Sequence, residues 1–94
     1  MDSFEDMLYG LIFNNYATAD KIGREVVGDY TVSTVETEDQ GWETAVWKGH
    51  NDMIIVARYP HKRAARAGHR DWCEVCKLNP TSAWSVQSEQ YEEF

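Results

Sequence analysis

Three segments with the character of β-strands, separated by two short turns, constrain the fold of this 94-residue chain most strongly. The segments are rich in β-branched and aromatic residues, and the first alternates between two faces with a period of two. They span residues 26–37, 42–47 and 53–59. Turns of four or five residues typically join antiparallel strands. We therefore expect a three-stranded antiparallel meander whose third strand, apolar on both faces, is the best buried.

A long helix is predicted to follow the third strand. Pro60 fits the start of a helix, because its fixed backbone angle and missing N–H are harmless there. The helix should end near Leu78, before the pair Asn79-Pro80. Small residues on the inner side of its first half would let it approach the sheet closely, with Trp72 as its main anchor.

The remaining segments complete the predicted fold. Helical spacing of apolar residues indicates an N-terminal amphipathic helix over residues 3–14, followed by a short helix or ordered loop over residues 16–25. The fold class is therefore α+β, with an N-terminal helix, a three-stranded antiparallel meander and a long helix packed on the sheet. Residues 1–80 would form this single domain. Residues 81–94 would form an acidic, aromatic-containing C-terminal tail with an edge strand at Trp84–Gln87.

The charges of the chain are arranged in blocks. The net charge is −7, yet residues 58–70 contain five cations and no acid. These cations are Arg58, Lys62, Arg63, Arg66 and Arg70. The basic segment is interpreted either as a solvated helix face that offsets nearby acids or as a docking surface for phosphate or an acidic partner. The net negative charge disfavours nucleic acid as that partner.

The acidic residues near the two predicted hairpin turns also allow two interpretations. They are Glu36, Glu38, Asp39, Glu43 and Asp52. Acids on turns usually serve solubility. Alternatively, a small acidic domain can mimic phosphate and occupy the nucleic-acid site of another protein.

Two tryptophans of the second strand are candidate binding residues. Trp42 and Trp47 are five positions apart, so they lie on opposite faces of the strand. Only one face is expected to meet the helices. We therefore expect at least one of the two to point away from the helices, where the tail or a partner protein would cover it.

A weak metal-site candidate lies within the predicted long helix. His69, Cys73 and Cys76 fall on one flank of the helix, and His50 or His61 could complete a tetrahedral site. Structural zinc sites usually present a Cys-x-x-Cys pair from a turn rather than from mid-helix. Two small, partly buried thiols are therefore the favoured interpretation. We therefore predict no metal. We also predict no catalytic residues and no cofactor, because the chain contains neither a phosphate-binding loop nor a nucleophile elbow.

The stretch Trp42–Cys76 resembles a pattern found in small uncharacterised proteins of tailed bacteriophages. In those proteins a YETMVF-like strand is followed by a variable loop, an Arg-Tyr pair, and a helix with alanines and a Gly-His pair. The matching residues here are Trp42, Glu43, Thr44, Val46, Trp47, Arg58, Tyr59, Ala65, Ala67, Gly68, His69 and Trp72. Ala45 departs from the pattern, and the two cysteines lie outside it. The resemblance implies a phage origin but no mechanism.

These observations predict a non-enzymatic phage accessory protein that binds a host or phage protein in the host cytoplasm. Inhibition of a host defence enzyme or a nucleic-acid enzyme is the first version to test. The predicted binding residues are Trp42, Trp47, Arg58, Lys62, Arg63, Arg66 and Arg70. The alternatives are a structural virion or assembly component, and a small zinc or nucleic-acid binder. No apolar run approaches the ~18 residues that a membrane span requires, so no membrane partner is expected. Self-association stays open.

Overall fold

The computed structural model describes residues 21–94, in which six strands and one helix form two antiparallel sheets. The larger sheet has four strands in the order β1-β2-β3-β4, and β5 pairs with β6 in a separate two-stranded sheet. The elements in chain order are β1 (Lys21–Val27), β2 (Tyr30–Glu36), β3 (Trp42–Lys48), β4 (Ile54–Tyr59), α1 (Lys62–Cys76), β5 (Ser82–Ser85) and β6 (Gln90–Glu93). The helix predicted for residues 3–14 lies outside the described residues.

The α+β prediction is wrong, because the described chain is mainly β with a single helix. The meander has four strands rather than three. Residues 21–25, predicted as a helix or loop, form β1 together with residues 26 and 27, which the prediction joined to the following strand. The edge strand β1 carries polar residues and lacks the apolar alternation that identifies an inner strand. Gly28, with φ of +61°, forms the two-residue turn Gly28-Asp29 between β1 and β2. Gly-Asp between two strand-like runs is a hairpin signal in its own right.

The C-terminal segment also differs from its prediction. The strand expected at Trp84–Gln87 is β5, which begins and ends two residues earlier and pairs with β6. The Val86 N–H donates to the Ile55 carbonyl at 2.9 Å, which ties the small sheet to the edge of β4. Ala83 is buried in the main core, and the Phe94 ring meets the Tyr30 ring edge-on with centroids 5.3 Å apart.

The large sheet is buried on both faces. The face beneath α1 holds the main core, formed by Tyr30, Val32, Val46, Ile54, Val56, Cys73, Cys76 and Ala83. The opposite face holds a smaller cluster of Val35, Ala45, Trp47 and Ile55. The prediction that the third predicted strand (β4) is the best buried is wrong. The inner strands β2 and β3 are buried along almost their whole length, whereas the second half of β4 is partly exposed.

Helix α1 is shorter than predicted and lies close to the sheet. His61 caps its N-terminus, where its Nδ1 accepts a hydrogen bond from the Ala64 N–H at 3.2 Å. Ala65 is fully buried, and a Cβ at Gly68 would overlap the Tyr59 ring. The prediction that small residues allow a close approach is confirmed. Within residues 21–94, no helix combines the length and apolarity needed to cross a bilayer.

Candidate functional site

A chain of hydrogen bonds crosses the interface between α1 and the large sheet. His69 of α1 contacts Glu25 of β1 through Nε2 and Oε1 at 3.0 Å, and Thr34 of β2 through Nδ1 and Oγ1 at 2.7 Å. Thr34 Oγ1 lies 2.7 Å from Thr44 Oγ1, directly opposite on β3. Thr44 Oγ1 lies 3.0 Å from the Tyr59 hydroxyl of β4. Each of the four strands therefore contributes one side chain to a network that runs from Glu25 to Tyr59 and passes through His69 of the helix.

The network satisfies polar groups that the core removes from water. His69 and both threonines are buried, and no buried side-chain nitrogen or oxygen in the described chain lacks a hydrogen-bond partner. Gly23 lies opposite Thr34 in the β1–β2 register, so β1 contributes no side chain at this point. Burial raises the pKa of Tyr59, the hydrogen bond with Thr44 lowers it, and the charge of Asp71 raises it further.

Cys73 joins this network one turn after His69. Burial, together with the neighbouring carboxylate of Glu25, raises the pKa of the Cys73 thiol to about 11. Glu25, His69 and Cys73 each place one potential ligand atom within 4.8 Å of the other two. Burial raises the pKa of Cys76 to about 11 as well, but this thiol lies in the apolar core.

The metal-site candidate from the sequence is therefore only partly assembled. The structure brings His69 and Cys73 together with Glu25, a residue 44 positions from His69 that no spacing argument could supply. Cys76 lies outside this group and is buried deeper in the core than Cys73. His61 serves as the helix cap, and His50 is exposed in the turn between β3 and β4. The sequence did contain one indication of a buried polar network, because alternation along β2 places the polar Thr34 on the same face as buried apolar residues.

A groove between β1 and α1 leads to this cluster. Its volume is about 390 Å³. The lining residues are Glu25, Val26, Val27, Arg70, Cys73, Glu74 and Lys77. Glu25 and Cys73 belong to both the cluster and the groove wall, so an ion or small ligand in the groove could reach them.

The five predicted basic residues do not form one surface. The Arg58 Nε donates to Glu43 Oε2 at 2.6 Å, across the strand pair β3–β4. The Lys62 ammonium lies 5.9 Å from the centre of the Trp42 ring. The other three cations, Arg63, Arg66 and Arg70, are exposed along one side of α1 and form no ion pair with residues 21–94.

The two predicted tryptophans lie on opposite faces of β3, as expected, but both are buried. Trp42 is 5% exposed beneath Lys62, and Trp47 is 3% exposed in the smaller core cluster. Neither is accessible to a partner in this conformation. The exposed aromatic pair is instead Trp84 with Tyr91, which are 46% and 72% exposed and pack edge to face with centroids 5.2 Å apart.

The acidic residues near the turns are also divided. Glu36, Glu38 and Asp39 lie at one end of the sheet, around the turn between β2 and β3. Asp52 lies at the other end, where the β3–β4 turn meets the β1–β2 turn through the hydrogen bond from Gly49 N–H to the Asp29 carbonyl. Glu43 is buried and paired with Arg58. The acids therefore present no single phosphate-like surface.

No protein-family model, curated protein or solved structure matches this chain.

Proposed function

We propose that this protein is a non-enzymatic accessory protein of a tailed bacteriophage that binds an acidic segment of a host or phage protein in the host cytoplasm. The contact surface is the basic side of α1, defined as Arg63, Arg66 and Arg70. The supporting observation is that these three arginines are exposed and form no ion pair within the described chain, although the whole chain has a net charge of −7.

The basic side of α1 has a cost for the helix that carries it. Arg63 and Arg66 are three positions apart, and Arg66 and Arg70 are four apart, so their charges repel one another on the helix surface. The first turn contains no acid, although the helix dipole favours negative charge there. Helix stability therefore does not explain the arrangement, whereas guanidinium groups are well suited to pair with the carboxylates of a partner.

The neighbouring edge strand favours an extended partner segment. β1 is the outer strand of the four-stranded sheet, and Val26 on it is exposed. An open strand edge offers backbone hydrogen bonds to an added strand, and a partner strand on β1 would run beside the groove and the basic side of α1. Nucleic acid is less well supported, because the net negative charge repels it.

Site-specific photocrosslinking tests this proposal. A photoreactive amino acid at Ala67, exposed on α1, should crosslink to a protein from lysate of the bacterial host, and the same probe at Glu38 should not. Reversing two charges with Arg66→Glu and Arg70→Glu should abolish the crosslink, while Lys48→Glu, an exposed cation outside α1, should leave it intact.

Three other outcomes would indicate a different contact surface, a different partner or a different function. Crosslinks from Glu38 that survive the double reversal would contradict the basic side of α1 as the contact surface. A nuclease-sensitive product would replace the protein partner with nucleic acid. Recovery of the chain in purified phage particles would instead indicate a virion component.

A further inference from the structure

The geometry points to a binding site for one divalent transition-metal ion, formed by Glu25, His69 and Cys73. The types of ligand atom favour zinc, and a fourth coordination position is open to the groove between β1 and α1. This inference is independent of the proposed partner surface. It also differs from the set of His69, Cys73 and Cys76 that the sequence indicated, because a carboxylate from β1 replaces the second thiol.

The three ligand atoms are close to the separation that zinc requires. Bond lengths of ~2.0–2.3 Å in a tetrahedral site place neighbouring ligand atoms about 3–4 Å apart. The atoms of Glu25, His69 and Cys73 already lie within 4.8 Å of one another, and Nε2 of His69 is 3.0 Å from Oε1 of Glu25. Small side-chain rotations therefore suffice to enclose an ion.

The donor set selects among metals. One imidazole nitrogen, one thiolate and one carboxylate suit zinc or cobalt, whereas magnesium and calcium prefer oxygen ligands alone. A thiolate and a carboxylate also balance the charge of a divalent ion, so the occupied site would be neutral at the edge of the core. Three protein ligands leave one coordination position, and the groove lies beside Glu25 and Cys73.

The hydrogen-bond network orients His69 for this role. Nδ1 lies 2.7 Å from Thr34 Oγ1, and if Nδ1–H donates there, Nε2 carries no proton and is free to bind a metal. Thr34 then donates to Thr44, and Thr44 donates to Tyr59. Without metal, the other tautomer donates from Nε2 to Glu25, and the threonine hydroxyls reverse direction. Both arrangements satisfy every buried group.

The strand opposite Nε2 leaves space for an ion. A Cβ at Gly23 would lie 3.9 Å from Nε2 of His69, so any longer side chain at this position would extend over the ring nitrogen. Glycine within a strand often marks a place where a ligand approaches closely. The β1–β2 register also shifts between Lys21 and Gly23, and such irregularities commonly re-aim side chains beside sites.

Cobalt titration of the reduced, chelator-treated protein tests the site. One equivalent of Co²⁺ should produce a thiolate-to-cobalt charge-transfer band and the visible bands of a tetrahedral ion, and Zn²⁺ should abolish both spectra and raise Tm. Cys73→Ser should remove the charge-transfer band. Cys76→Ser is the matched control, because it removes the other buried thiol of the same helix, and it should leave the spectrum intact.

A second pair of variants covers the case in which a core substitution prevents folding. Glu25 is exposed, so Glu25→Gln should fold and weaken cobalt binding at least tenfold, and Gly23→Leu should weaken it similarly without removing a ligand. Binding that lacks the charge-transfer band would overturn the site. So would no binding at all, or a spectrum that Cys76→Ser alters as much as Cys73→Ser does.

Discussion

Replacing Gly68 with alanine should destabilise the protein, although the same change normally stabilises a helix. At an exposed helical position, glycine to alanine gains about 1 kcal/mol through helix propensity. Here the added Cβ would overlap Cε1, Cζ and the hydroxyl oxygen of Tyr59. The sign of the effect therefore reports whether α1 is seated on the Tyr59 ring.

The magnitude follows from what Tyr59 must give up. The ring cannot move away without weakening its 3.0 Å hydrogen bond to Thr44, which is fully buried. Overpacking typically costs about 1–3 kcal/mol, and a weakened buried hydrogen bond costs about 1 kcal/mol. Subtracting the propensity gain of about 1 kcal/mol leaves a net loss of roughly 1–3 kcal/mol for Gly68→Ala.

Urea unfolding followed by far-ultraviolet circular dichroism measures this loss. Ala67→Gly, at the exposed neighbouring position, gives the propensity effect alone and should cost about 1 kcal/mol. In a Tyr59→Ala background the overlap disappears, so Gly68→Ala should there become stabilising by up to about 1 kcal/mol. The reasoning is refuted if Gly68→Ala stabilises the wild-type protein or has the same effect in both backgrounds.

Three further predictions concern the rest of the core. Thr34→Val keeps the side-chain volume but removes the hydroxyl that links His69 to the network, so the free energy of unfolding should fall by about 1–3 kcal/mol. Thr34→Ser keeps the hydroxyl and should lose much less, and equal losses for the two variants would contradict the link. In metal-free protein, burial raises the pKa of Cys76 from 9.0 to about 11. The buried neutral thiol therefore makes its full contribution to the free energy of unfolding below pH 9, and up to roughly 2–3 kcal/mol of that contribution is lost as the pH rises to about 11. Cys76→Ala should reduce this pH dependence by about half, because the pKa of Cys73 is raised to about 11 as well, and an unchanged slope would assign it to other groups. Arg58→Met removes the cation next to the buried Glu43 carboxylate and should cost about 1–3 kcal/mol, whereas combining it with Glu43→Gln should recover part of that loss in the same assay.

The sequence predicted β2, β3 and β4 of the large sheet well and the edge strand β1 poorly, for a physical reason. β2, β3 and β4 must pack against other layers, so their β-branched and aromatic residues indicated each strand to within a few residues of its bounds. β1 packs mainly against its partner strand and the helix. Its polar residues Arg24 and Glu25 interrupt the apolar pattern by which a strand is recognised in a sequence. Buried positions require apolar residues, and an alternation of apolar residues is what identifies a strand in a sequence. β1 has fewer buried positions, so its sequence shows less of this pattern.

The candidate site illustrates the same limit. Positions four apart on a helix share a face, so the proximity of His69 and Cys73 followed from their spacing. Cys76 is three positions beyond Cys73, and the resulting rotation of about 60° directs it into the apolar core. Glu25 joins the cluster only because the β1–β2 register places β1 beneath α1, and sequence spacing contains no information on that register.

Several residues between Glu43 and Gly68 contact one another where α1 meets the sheet. The ion pair joins Glu43 to Arg58, the hydrogen bond joins Thr44 to Tyr59, and the Tyr59 ring packs on Gly68. Together these contacts seat α1 on the sheet, so the residues have a structural role whatever partner the protein binds. The two proposals therefore depend on other features, namely the basic side of α1 and the carboxylate and thiol that flank the groove.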